Sequence, residues 1–155
     1  MHVFDRQPEP GPNSKYAVVA KRAGKELDTS LTYHQVDVRD GVDQLNGITA
    51  EIVRTRGRLD GLIAAAGIQQ ETAALDYTAA DSDRMLGVNV TGVLMTAQAV
   101  ARQMVRLQTG GSIALIASMS GSVANRGLIC PYVYSDPFPL PHHHNFLVDN
   151  SYFIT

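Results

Sequence analysis

At 155 residues, 45% of them apolar and 18% charged, the chain has the length and balance of one globular domain around one core. A formal net charge of -2 supplies no extended positive field, which argues against nucleic acid or an anionic membrane as a partner. The one cysteine, Cys130, forms no intramolecular disulfide, the amino terminus has no signal-peptide pattern and no apolar run reaches membrane-spanning length, so the expected compartment is the cytoplasm.

Val3-Phe4-Asp5 reads as the stub of a strand, and the proline-rich run from Pro8 to Pro12 after it as a loop, because proline offers no ladder donor. Asn13 or Ser14 caps a short amphipathic helix in which Tyr16, Val19, Ala20 and Ala23 recur at helical spacing up to Gly24. Residues 31–36 alternate and are rich in β-branched and aromatic types, which predicts a strand ending at Asp37. Asp40 with Asp43 resembles a capping pair for a helix whose face carries Val42, Leu45, Ile48 and Ile52 and which stops at Gly57. Residues 62–66 form a continuous apolar run between glycines, the pattern of a strand covered on both faces.

Thr78 and Asp81 have the spacing of a capping box. Behind them Leu86, Val90, Val93, Ala97, Val100 or Ala101, and Met104 keep a three-four rhythm for about six turns, within one predicted helix over 79–108. Gly110 and Gly111 end it, and residues 113–117 read as another buried strand. Strands alternating with helices through short loops predict a parallel α/β sheet with right-handed crossovers. The pattern stops at Pro131: residues 132–155 hold most of the chain's aromatics and three consecutive histidines, and read as an irregular tail. A shift this abrupt is what a translated intron or an alternative carboxyl terminus produces. His142, His143 and His144 do not converge on one ion without a backbone kink, so no metal site is expected.

Gly110-Gly-Ser-Ile-Ala-Leu-Ile-Ala-Ser118 resembles the active-site strand of short-chain dehydrogenases, with Ser118 as the serine that hydrogen-bonds the substrate carbonyl. Other positions match the same family in order. Asp37-Val38 resembles the pair at which an aspartate accepts from the adenine amino group and a valine packs beside the ring; on spacing alone Asp37 reads equally well as a helix-capping loop residue. Leu62-Ile-Ala-Ala-Ala66-Gly67 stands where the family has Asn-Asn-Ala-Gly, so that Ala65, Ala66 and Gly67 let backbone approach the cofactor ribose, while both asparagines are replaced by alanine. Asn89 resembles the helix asparagine that helps hold a water in the proton relay; its alternative is a polar residue facing solvent. Asp5 stands where the family accepts from the adenosine ribose hydroxyls, which favours NAD, although Arg6 beside it suits a 2′-phosphate and NADP, and the pair also reads as an exposed terminus.

The resemblance covers about residues 3–131 and implies a partial Rossmann-like, doubly wound parallel sheet that binds NAD or NADP over 1–131. It implies an oxidoreductase interconverting a ketone and a secondary alcohol, closest in wording to members acting on sugars and polyols. Two family features are absent from these 155 residues. No Thr-Gly-x-x-x-Gly-x-Gly turn occurs, and the first strand that carries it lies mid-sheet in the family order 3-2-1-4-5, so its loss leaves two unpaired edges and a monomer expected to be marginal or prone to aggregate. No lysine follows Lys25, so the Tyr-x-x-x-Lys pair is missing, although Tyr132 or Tyr134 falls near the tyrosine's place. The chain as it stands is therefore expected to be inactive. The alternative is a non-catalytic remnant that associates with full-length relatives, or with itself, through the helix over 79–108.

Overall fold

Strands and helices alternate as the periodicity predicts: β1 (His2–Asp5), α1 (Lys15–Leu27), β2 (Thr32–Gln35), α2 (Val42–Arg56), β3 (Gly61–Ala64), α3 (Ala79–Leu86), α4 (Val93–Leu107) and β4 (Ser112–Leu115). The computed structural model describes residues 1–8 and 10–118, with the backbone at 133–134 and 146–147, where β5 (Val133–Tyr134) and β6 (Phe146–Leu147) pair antiparallel. β1 runs parallel to β2, with His2 opposite Thr32 and Asp5 opposite Gln35; β3 runs parallel to β4, with Gly61 opposite Ser112 and Ala64 opposite Leu115. The parallel α/β class is as expected. The two pairs are separate sheets, however, and β1 is not hydrogen-bonded to β3.

What joins the halves is helix packing. α2 lies along α4, and Val36, Leu45 and Ala99 form a buried cluster against which Phe4, Ile48 and Met95 pack. The opposite face of β1–β2 carries α1: the Tyr16 and Tyr33 rings meet edge to face at 5.2 Å, and the Tyr16 hydroxyl donates to the Leu31 carbonyl. No helix among the described residues is long and apolar enough to cross a membrane.

Several boundaries differ from the sequence reading, each for a local reason. Ser14 is the cap of α1, its Oγ accepting from the Ala17 N–H at 3.1 Å. The helix passes through Gly24 and stops at Asp28, which adopts the left-handed conformation that ends helices. Asp40 does not cap α2. Its N–H donates to the Asp37 carbonyl, which closes a turn and leaves the cap to Gly41 at φ 108°, a conformation glycine tolerates. Gly57 ends α2 in the left-handed region as expected. β3 ends at Ala64, where the Ile116 N–H makes the last bond of the ladder, so Ala65 and Ala66 belong to the following loop and β4 is likewise shorter than 113–117. Nor is β3 covered on both faces: α4 packs against one, and Ile63 on the other is 73% exposed.

The predicted long helix over 79–108 is the largest departure. Thr78 and Asp81 form the expected capping box. Between α3 and α4, however, Gly87–Gly92 winds as a π-helix, so the span 79–108 is continuous but not uniform. Gly92 is pressed against the loop after β2; a Cβ there would lie 2.9 Å from Val38 Cβ and overlap its Cγ2. Packing of helix backbone on Val38 and the engagement of Asn89 described below hold the widened turn.

Candidate functional site

Between β1 and β3 runs a cavity of about 1160 Å³. At the carboxyl ends of the strands, where open parallel sheets bind ligands, its wall comes from the residues that follow each strand. All six residues expected to meet a dinucleotide line it: Asp5 at the end of β1, Asp37 and Val38 after β2, and Ala65, Ala66 and Gly67 after β3.

Asp37 is closed into a turn with Arg39. Its Oδ1 accepts from the Arg39 N–H at 2.9 Å and its Oδ2 from the guanidinium at 2.8 Å. The hydrogen bonds from Arg39 hold the Asp37 carboxyl below the usual carboxylate range, so it is charged at neutral pH. Asp5 is exposed, and one oxygen accepts from the Gln7 N–H at 2.9 Å. Val38 packs on the Gly92 backbone, which fixes that loop to the helix. Ala65, Ala66 and Gly67 present little side chain, leaving backbone at the cavity surface.

Asn89 sits inside the π-helix and is buried, with 6% of its surface exposed. Its carbonyl oxygen accepts from the Ile68 N–H at 2.9 Å and its amide donates to the Ile68 carbonyl at 3.0 Å. Such a two-way clasp satisfies a backbone donor and acceptor at one residue, which is how a loop without a ladder partner is pinned. Asn89 therefore holds the loop that begins at Gly67 and does not face solvent. Ser118 lies three residues beyond β4 and is half-buried. Neither Asn89 nor Ser118 is among the residues lining the cavity. Tyr132 lies outside the described residues, as do the three histidines, and among the described residues no three His, Cys, Asp or Glu side chains converge as metal ligands.

Two arginines at this end escape a reading by sequence pattern. The Arg39 stem packs 3.7 Å from where a Gly87 Cβ would stand, tying the loop after β2 to the π-helix as well as to Asp37. Arg84 lines the cavity, donates to Gln70 Oε1 and stands 4.0 Å from Asp81. The only trace in the sequence is spacing: Arg39 two residues after Asp37, and Arg84 three after Asp81.

Comparison with known proteins agrees with this architecture. A family model described as short chain dehydrogenase matches residues 11–135. A short chain dehydrogenase/reductase of Aspergillus versicolor is 32% identical over 120 residues, covering 77% of this chain and 41% of that protein. Carveol dehydrogenase from Mycobacterium avium in complex with NAD superposes with a TM-score of 0.68 at 27% identity, covering 82% of this chain and 48% of that one. A gluconate 5-dehydrogenase from Burkholderia cenocepacia in complex with NADP and tartrate gives a TM-score of 0.67 at 30% identity, covering 84% and 48%. The chain thus spans less than half the length of these relatives.

Proposed function

The chain belongs to the short-chain dehydrogenase/reductase family, and on that premise we propose that it forms the dinucleotide-facing part of an NAD(P)-dependent oxidoreductase that interconverts a ketone and a secondary alcohol of the sugar or polyol type. The observation that carries this reading is the convergence of Asp5, Asp37, Val38, Ala65, Ala66 and Gly67 on one cavity at the carboxyl ends of the strands. These residues fit the adenosine half of a dinucleotide: two carboxylates for hydroxyl and amino donors, an aliphatic side chain for a ring face, and small residues where backbone must come close. A bound nicotinamide would supply or accept the hydride.

Asp5 would receive the ribose hydroxyls, which favours NAD, with Arg6 beside it suited to the extra phosphate of NADP. Asp37 would accept from the adenine amino group only by sharing the oxygens that Arg39 now engages. Asn89 acts through Ile68 by fixing the loop after Gly67, and is a positioning residue. Ser118 would donate its hydroxyl to the substrate carbonyl, and Tyr132 or Tyr134 stands near the sequence position of the family's proton-donating tyrosine. A tyrosine with a reference pKa of about 10 and no lysine four residues on exchanges protons poorly at neutral pH. We therefore propose that the 155-residue chain binds the cofactor in the cytoplasm without turning it over. A second reading, association with itself or with relatives through the helix over 79–108, is favoured by the exposed Leu86, Leu94 and Val105 along it.

The test is titration of the purified chain against NADH and NADPH, followed by nucleotide fluorescence. Saturable binding of at least one, weakened by Asp37→Asn, is expected; failure to bind either sinks the proposal.

A further inference from the structure

One pair of ionisable side chains has no part in the nucleotide reading. His2 opens β1, away from the carboxyl ends of the strands, and the parallel register sets Thr32 beside it and His34 beside Phe4. Alternate residues of a strand share a face, so both imidazoles lie on the side that Phe4 turns to the buried cluster. The Phe4 ring meets His34 edge to face at 5.3 Å, and the two imidazole centroids are 5.2 Å apart. His2 Nδ1 and His34 Nε2 face each other at 2.9 Å. The outer nitrogens, His2 Nε2 and His34 Nδ1, have no hydrogen-bond partner among the described residues, so each ring can carry its proton there and turn a lone pair inward. Burial holds both rings below their ordinary pKa, which keeps them neutral at pH 7. Both are partly exposed, and His2 lines the amino end of the cavity with Ser30 and Arg56, which gives the pair an entry path.

We propose that His2 Nδ1 and His34 Nε2 form a two-imidazole site for a divalent transition-metal ion of right-angled geometry, Cu(II) or Ni(II), with water in its remaining positions. The spacing selects the ion. Two nitrogens held about 2.0–2.1 Å from one metal stand about 2.9 Å apart at a right angle and about 3.4 Å apart at the tetrahedral angle, so the pair fits a square or octahedral ion better than zinc. Imidazole donors also exclude calcium and magnesium, which require oxygen. Binding replaces the shared hydrogen bond. The accepting ring already turns its lone pair inward, and the donating ring moves its proton to its outer nitrogen, so no net proton is released at neutral pH. Among the described residues no set of three His, Cys, Asp or Glu side chains gathers round an ion, which leaves the site open and exchangeable. Two cations act on His2 and oppose the ion: the amino terminus, which donates to Ser30 O at 2.7 Å, and Arg56 in the last turn of α2, which donates to Ser30 Oγ at 3.3 Å. A bound ion would staple β1 to β2 across their ladder and stabilise the first half by mass action.

The test uses the full 155-residue chain carrying His142→Gln, His143→Gln and His144→Gln, which leaves His2 and His34 as its only histidines. Cu(II), Ni(II) and Zn(II) are titrated in turn by calorimetry, and the Cu(II) form is studied by pulsed EPR, in which the remote nitrogen of each bound imidazole modulates the echo. One Cu(II) per chain is expected, with two imidazoles counted and with Cu(II) bound tighter than Ni(II) or Zn(II). His34→Gln should weaken binding by about tenfold or more. Arg56→Gln, by removing an opposing charge, should tighten it by about two- to fivefold at low salt, a gain that loss of a merely structural contact would not give. A single bound imidazole overturns the proposal, as does affinity undiminished in His34→Gln, because either result would assign the ion to the amino end of the chain alone. Tightest binding of Zn(II) would overturn the geometric argument. If His34→Gln fails to fold, the imidazole count still decides the matter on the intact pair. Nucleotide binding is measured separately, so failure here leaves that reading standing.

Discussion

The two parallel pairs are equal in strand number and strand length, yet they are housed differently. β1–β2 lies between α1 and α2, with Phe4 directed to the buried cluster and Tyr33 under Tyr16. β3–β4 has α4 on one face and leaves Ile63 and Ile116 open on the other. Parallel pairs are stable when both faces are covered, so the contrast says that local strand propensity made both pairs while helix cover made only one of them secure. The stability of the molecule should then be concentrated where α2 and α4 meet.

Substitution there should have the largest effect. Leu45 is fully buried in the cluster under β1–β2, and Leu45→Ala is expected to cost about 2–5 kcal/mol in urea unfolding. A smaller loss would mean that the first half is no better packed than the second. Gly92→Ala should cost about 1–3 kcal/mol, because its Cβ would overlap Val38 at the seam between the halves. Combining it with Val38→Ala should recover most of that, and failure to recover would move the origin of the π-turn elsewhere. Asn89→Ala strips the clasp from Ile68 and should cost about 1–3 kcal/mol, with faster amide exchange at Ile68 as the specific sign.

A pH effect is expected in the first half. His2 Nδ1 and His34 Nε2 share one hydrogen bond at 2.9 Å, and burial holds both rings below their ordinary pKa of 6.5, with the His34 charge, the amino terminus and Arg56 adding to the effect on His2. A lowered histidine pKa means that the unfolded chain takes up protons first. Its contribution is therefore present above about pH 6.5 and lost as pH falls through the lower folded value. The melting temperature should decline from pH 7.5 to 5, and the decline should flatten in His34→Gln. The smallest effect belongs to the open face: Ile63→Thr should change stability by less than about 0.5 kcal/mol. A large loss would show that face to be covered.

Much of this architecture is legible in the sequence because periodicity is a local property. The alternation of α1, β2, α2 and β3 follows from apolar spacing, and the Thr78–Asp81 box and the Gly57 stop sit where their residue types demand. The π-turn is not legible, because its cause is not local. In a helical register Asn89 signals only an unfavourable residue, and its reason for being there is Ile68, 21 positions away. Gly92 likewise reads as a weak helix residue until Val38 is placed against it. At the candidate site, the positions of Asp37 and Gly67 follow from the rule that strand ends face the ligand, whereas the commitment of Asp37 to Arg39 depends on a turn that apolar periodicity does not register.

The π-turn also sets an angle. An α-helix turns about 100° per residue, so one residue taken up in a wider turn rotates everything beyond it by about that amount relative to a regular helix. The capped first turns of α3 and the buried stripe of α4 are thus offset like two gears on one shaft. Excising a single residue from 88 to 91 would leave a more regular helix. Either Met85 or Ala99, both now fully enclosed, would then be swung away from its socket.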